Sequence, residues 1–339
     1  MGLSVLILGH EAGHFFVAKL FGLKIDEFGF GFPPRVFAKK KGETEYSLNW
    51  LPFGGFVRIA GENDGMAEER FEGLNEEEKK RIFAFQPAWK RSLIILAGVA
   101  INFLIGWFLV SLVLMIGTAK ALVINDVQKN SPAEQVGILS GDVVKNFTDA
   151  SSFIQFINSH RGEEIGLEIT RGGENLVFAV VPRVEVPPGQ GAVGVALTEA
   201  GEERLGFLSA VWAGLERSVI IAGLTFQAFY DLVKNLILHA SLLPGVVGPV
   251  GIFSIAQETG RIGLIYLVQL IAIISLNLAV INLIPFPALD GGRFFMILLE
   301  KMKGSPISRK TEVFVNTVGF VFLILLMALL TVRDVSNWF

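Results

Sequence analysis

Residues 2–23 read GLSVLILGHEAGHFFVAKLFGL, and this stretch decides what kind of chain follows. An apolar run of this length is on the scale of the ~20 residues that a bilayer-spanning α-helix needs. It nevertheless carries His10, Glu11 and His14. Two histidines four residues apart share one helical face and can hold one metal ion. The glutamate beside them is placed to act on a metal-bound water, a pattern common among soluble metalloproteases. Three ionisable groups within a span are costly unless they face a protein interior and perform chemistry there. The stretch therefore predicts metal-dependent hydrolysis inside a membrane helix.

The composition agrees with a membrane setting. Of 339 residues 52% are hydrophobic, and the mean hydropathy is +0.55, which points to several spans. Charged residues are only 18% and are bunched, and a net charge of -3 argues against a nucleic-acid partner. With no cysteine, disulfides and thiolate metal sites are excluded, so a zinc ion must be held by histidine and carboxylate. The histidines are His10, His14, His160 and His239. The start has neither a basic lead nor a small-residue cleavage site, so no cleavable signal is expected. The short lead before His10 is compatible with a longer native start.

Four spans are expected, at about residues 2–23, 93–117, 262–284 and 313–332. Basic residues are dense between the first and second (Arg35, Lys39, Lys40, Lys41, Lys79, Lys80, Arg81) and between the third and fourth (Arg293, Lys301, Lys303, Arg309, Lys310). Both connections are therefore expected on the cytoplasmic side, and both termini and residues 118–261 outside. Residues 24–62 read as a β-hairpin, with alternation over Glu45–Trp50 and a turn at Pro52–Phe56, lying in the cytosol or dipping into the membrane. Residues 63–92 read as a polar cytoplasmic loop. Residues 119–184 read as a compact soluble module. Residues 185–261 read as a linker with a helix on the outer membrane surface: Glu216, Arg217, Asp231 and Lys234 closely bracket its apolar part, and a crossing there would reverse the third span.

A catalytic zinc usually has three protein ligands and one open position. The best third ligand is Asp290, in NLIPFPALDGGR at 282–293, at the inner end of the third span. Pro285, Pro287 and the glycines break the helix there and can aim the carboxylate inward. His160, in the soluble module, and His239 read as solvent or interface histidines.

Two resemblances follow from these residues. SPAEQVGILSGDVV at 131–144 with LEITRGG at 167–173 resembles a PDZ domain, although Asn146–Asp149 stands where an Asn-Gly turn is usual. Such a domain binds an extended peptide as an added strand; a spacer that excludes bulky substrates is the alternative. HEAGH at 10–14, PFGGF at 52–56, AGVAIN at 97–102 and NLIPFPALDGG at 282–292 lie in the order found in site-2 proteases. Nearly the whole chain resembles that intramembrane zinc metalloprotease family, and most of all its bacterial branch with a periplasmic PDZ domain, the regulator of sigma-E protease type. The chain departs from it in its short lead, in having room for one PDZ domain where some relatives have two, and in Val99-Ala100 where a Gly-Pro step is usual.

The resemblance implies a multi-pass α-helical fold with an inserted α+β PDZ-like domain and a membrane-associated hairpin, in the bacterial inner membrane. It implies one Zn2+ held by His10, His14 and Asp290, with Glu11 as catalytic acid/base. It implies that Asn277 and Asn282 contact substrate or oxyanion, where interhelical hydrogen bonding is the structural alternative. The implied substrate is a single-pass transmembrane protein already trimmed by another protease, an anti-sigma factor or a signal-peptide remnant. Two other classes remain: a non-enzymatic adaptor with a structural metal site, and a zinc permease, which calls for more ligating residues along several spans.

Overall fold

The structure, a computed structural model, describes residues 2–62, 75–187, 189–239, 247–305 and 307–336. The chain divides into two compact units, one of residues 1–110, 213–254 and 269–339, the other of 111–212 and 255–268. Part of the expected polar loop, residues 63–74, lies outside the described residues.

The first unit opens with helix α1 (Gly2–Leu20), followed by strands β1 (Ile25–Lys41) and β2 (Thr44–Ile59). A short helix α2 (Glu76–Lys79), capped by Asn75, and a 3₁₀ turn at Phe83–Phe85 lead into the 29-residue helix α3 (Ala88–Ile116). The two strands do more than form a hairpin. Phe28 pairs with both Tyr46 and Val57, and Phe30 with both Leu48 and Gly55, so the start of β1 lies between the two arms of β2. The expected turn at Pro52–Phe56 falls at the bend where β2 reverses: Tyr46–Leu48 run parallel to Phe28–Phe30, and Gly55–Val57 run antiparallel to them. That bend runs along α1: Ser4 Oγ donates to the carbonyl of Pro52 at 2.6 Å, and Gly55 packs against Leu8. Ala18, Leu23, Ile25, Ile59, Phe83, Ile94 and Ile297 form a core at the far end of α1.

The second unit carries an antiparallel five-stranded sheet in the order β6-β5-β4-β3-β7. Its elements are β3 (Ala121–Val127), helix α4 (Pro132–Gln135), β4 (Val143–Val144), helix α5 (Ala150–Ser159), β5 (Ile165–Arg171), β6 (Glu174–Val180) and β7 (Val195–Ala200). The alternation of β5 turns Ile165, Leu167 and Ile169 inward onto Leu122, Ile124, Ile138, Val144, Phe153 and Ile157. Ser131 caps α4, and Asp149 caps α5 by accepting from Ser152 N at 2.8 Å. The expected boundary at residue 184 falls short, because β7 completes the sheet by pairing with β3 and Val195 and Leu197 pack on its core. A cavity of about 380 Å³ runs between α5 and the edge strand β7, lined by Phe153, Ile154, Ile157, Val193, Val195 and Leu197.

Four further helices follow: α6 (Phe207–His239), α7 (Pro249–Ile262), α8 (Leu264–Leu283) and α9 (Asp290–Lys303), then a fifth, α10 (Arg309–Ser336). Five helices among the described residues are long and apolar enough to cross a membrane: α1, α3, α6, α8 and α10. The expectation of four counted 206–238 as a shorter surface segment. That region is instead a 33-residue helix, since the Glu, Arg and Lys residues that bracket its apolar part are good helix formers and do not end it. The residue reading of 285–292 as a loop is corrected in the same way: Asp290 opens α9.

Contacts within the first unit fix the helix directions. Gly9 meets Ile105 and Gly13 meets Ala97, so α1 and α3 are antiparallel. Ser275 Oγ donates to Asn102 O at 2.7 Å while Gly106 packs on Leu276 and the Ala272 carbonyl, so α8 runs antiparallel to α3. Near one end of α10, Asn316 accepts from Ala288 N at 3.1 Å; near its other end Asp334 accepts from Gly251 N at 2.8 Å, beside the start of α7.

Asp142, 1% exposed, anchors the sheet of the second unit. It accepts from both Nε and Nη2 of Arg171 at 2.7 Å and from Leu139 N at 2.9 Å. Burial alone would raise its carboxyl, but Arg171 and the Leu139 amide hold it below the ordinary value of 3.8. A carboxyl depressed by folding stabilises above its unfolded value, and that stabilisation is lost as pH falls through the lowered one. Asp142→Asn should speed amide hydrogen exchange of β4 and β5 at neutral pH about 30-fold, equivalent to ~2 kcal/mol. The difference from wild type should shrink on acidification below pH 3.8.

Candidate metal centre

Helix α1 presents His10 and His14, both 7% exposed, one turn apart on a single face. The face is buried against α3 through small residues. A Cβ on Gly13 would lie 2.6 Å from the Ala97 carbonyl oxygen, and one on Gly98 would lie 2.5 Å from His14 Nε2 and 2.7 Å from His10 Cε1. The space at residue 98 is therefore filled by the two imidazoles. His14 Nδ1 donates to the carbonyl of Ile94 at 2.8 Å, which leaves Nε2 with its lone pair free for a metal.

Asp290 arrives from the first turn of α9. The chain between α8 and α9 folds tightly: Ala288 has φ 72°, and a Cβ on Gly291 would lie 2.3 Å from the carbonyls of Leu283 and Ile284. A Cβ on Gly292 would lie 2.2 Å from the Phe286 carbonyl, so this turn admits only glycine at both positions. Arg293 ties the same helical turn to Glu62, Nη1 to Oε1 at 2.7 Å.

Asp290 Oδ2 lies 2.8 Å from His10 Nε2 and 3.3 Å from His14 Nε2, and the two Nε2 atoms are 3.1 Å apart. Ligand atoms around a tetrahedral zinc with bonds of ~2.0–2.1 Å stand about 3.3 Å apart. The donor set, two imidazole nitrogens and one carboxylate oxygen, fits a zinc ion with one position left open. This is the one such cluster among the described residues.

Glu11 lines a cavity of about 220 Å³ together with His10, Asn102, Asn282 and Asp290. Its Oε2 accepts from the backbone N–H of Val57 at 3.1 Å, so β2 holds this carboxylate from outside the helix. Asn282 thus shares the space beside Glu11, whereas Asn277 accepts a hydrogen bond from Thr225 Oγ1 at 2.7 Å and joins α8 to α6. His160 caps α5, its ring against Phe156, and His239 is exposed at the end of α6. Four features have roles that the sequence reading did not assign: the Ile94 carbonyl, the Val57 amide, Gly98 and the Asn102 side chain. Gly98 and Asn102 were quoted there only as part of AGVAIN at 97–102.

Gly98→Ala should force the imidazoles apart and weaken zinc affinity about 10–100-fold, read by chelator competition on the purified protein. A variant that holds zinc as tightly as wild type would show that the rings have room to move.

A family model for peptidase family M50 matches residues 1–326. A Clostridium perfringens chain whose name marks it as a candidate zinc metalloprotease is 34% identical over 341 residues, covering 99% of this chain and 96% of the relative. The regulator of sigma-W protease of Bacillus subtilis is 27% identical, covering 99% and 97%. A zinc metalloprotease of Shouchella clausii is 29% identical, covering 99% and 97%. The chain is a membrane protein of peptidase family M50, a zinc metalloprotease of the site-2 type.

Proposed function

We propose that this protein cleaves a peptide bond within the transmembrane segment of a single-pass protein that another protease has already trimmed. One observation carries the reading: a carboxylate, Glu11, lines one cavity with His10 and Asp290, two corners of the His10–His14–Asp290 triangle, on an apolar helix long enough to cross a membrane. His10, His14 and Asp290 would hold the zinc. When bound, zinc supplies Lewis-acid chemistry, acidifying water and polarising the scissile carbonyl. Glu11 takes the water proton and delivers it to the leaving amide nitrogen. Asn282 donates its amide N–H to the oxygen on which charge develops. Asn277, committed to Thr225, serves helix packing instead.

The helix directions favour four crossings. α1 and α8 run one way and α3 and α10 the other, so the segment between α3 and α8 leaves and re-enters on one side. A crossing by α6 would need a return crossing before α8 begins, and α7, at 14 residues, is shorter than the ~20 that a spanning helix needs. On this reading α6 lies against the core without traversing, and both termini and the PDZ-like domain lie on the outer side of the inner membrane. The bend of β2 lies beside Ser4 and Leu8 of α1, which favours a hairpin that enters the membrane, its backbone covered by protein. Its edge would receive the unwound substrate as an extended strand.

The sheet of the second unit would be a PDZ-like domain. Its groove between α5 and β7 would take an extended peptide or act as a size filter for substrates. The likeness to a regulator of sigma-W protease favours an anti-sigma factor as substrate, with signal-peptide remnants the other class.

The test uses a tagged single-pass substrate and the purified protein in detergent. Glu11→Gln should hold zinc at wild-type stoichiometry and cleave about 10²–10⁴-fold more slowly. Zinc removal by a chelator should abolish cleavage, and zinc should restore it. Glu11→Gln cleaving at the wild-type rate with zinc in place would overturn the assignment and leave a non-enzymatic adaptor.

A further inference from the structure

Helix α3 meets the two imidazoles with a stripe of its own. Ile94, Gly98 and Asn102 recur at a spacing of four, so they share one face of α3. Because α1 and α3 are antiparallel, the order reverses: Ile94 stands beside His14, Asn102 beside His10, and Gly98 between them makes room for both rings. The rings stand edge to face, centroids 4.7 Å apart, with their Nε2 atoms turned towards Asp290 and their Nδ1 atoms turned to α3.

A neutral imidazole that gives its Nε2 lone pair to a metal carries its proton on Nδ1, and that proton needs an acceptor. For His14 the acceptor is the Ile94 carbonyl. For His10 the Nδ1 atom faces the amide of Asn102, at 3.3 Å. Asn102 is 1% exposed, and its other amide atom, Oδ1, has no hydrogen-bond partner among the described residues. The nitrogen and oxygen of an amide are interchangeable by a half-turn of its end, and the surrounding network decides between them. As placed, the amide has no second hydrogen bond to fix it, so the ring of His10 is what decides. With the oxygen towards the ring, Asn102 accepts from Nδ1–H and Nε2 is free. With the nitrogen towards the ring, the proton moves to Nε2 and the metal-binding lone pair is lost. The Asn102 backbone is itself pinned, since its carbonyl accepts from Ser275 Oγ of α8 at 2.7 Å.

We infer that Asn102 is a positioning residue for the metal centre: its amide oxygen accepts the Nδ1 proton of His10 and so fixes the ring orientation and tautomer that ligate zinc. The inference rests on the zinc-site reading above. It makes the two histidines equivalent in function and different in support, one held by a backbone carbonyl that no substitution removes, the other by a side chain that a single substitution can.

The measurement is zinc affinity, by competition with a chelator of known strength, on purified full-length protein in detergent. Asn102→Leu keeps the shape and removes the acceptor; it should lose about 10–100-fold in zinc affinity. Asn102→Asp has an oxygen at both positions and should hold zinc as tightly as wild type or more so. If Asn102→Leu does not fold, Asn102→Asp decides alone: an amide that donated to the ring would leave the aspartate variant without its contact, and a tenfold or greater loss there overturns the inference. Asn102→Leu with wild-type affinity also overturns it. His10→Ala separates the two levels. If it loses zinc while Asn102→Leu does not, only the role of Asn102 fails; if it binds zinc like wild type, the site assignment fails and the role of Asn102 with it.

Discussion

The close crossing of α1 and α3 is the constraint on which the rest depends. In lipid there is no hydrophobic force to press two helices together, and tight packing of small residues takes its place. Gly13 lies against the backbone at Ala97, and Gly98 lies against both imidazoles. That approach encloses three polar side chains in protein and brings α3 backbone and side-chain acceptors to the rings. Asp290 then reaches the same point from 280 residues away in sequence, on a turn compressed until only glycines fit behind it.

The parts of the centre that were legible in the sequence are those whose chemistry dictates residue type and spacing. HEAGH could be read because one helical face and one metal fix the interval of four. Asp290 could be read because prolines and glycines around a lone acid at a span end have few other uses. The Val57 amide and the Ile94 carbonyl could not be read, since every residue has such atoms and only folding selects one. Gly98 was quoted within AGVAIN, but its role could not be read for the same reason: it lies in what stands opposite.

The misread elements share a cause, which is that local signals were weighed without their distant partners. The soluble module seemed to end at 184 because β7, which completes the sheet, pairs with a strand far back at β3. Charges around 218–230 suggested the limits of a short helix, and helix-forming Glu, Arg and Lys carried it on through both.

The hydrogen bond from Val57 N to Glu11 has a consequence for how such chains can diverge. Along an extended strand the amides point alternately to opposite sides. Adding or deleting one residue between the bend and Val57 would turn a carbonyl toward the glutamate and set two oxygens against each other. Length variation in that arm is thereby restricted to even steps, or must be absorbed by a bulge, while the tip beside Gly42 is held separately, through Glu43 to Lys19 of α1 and to Arg81.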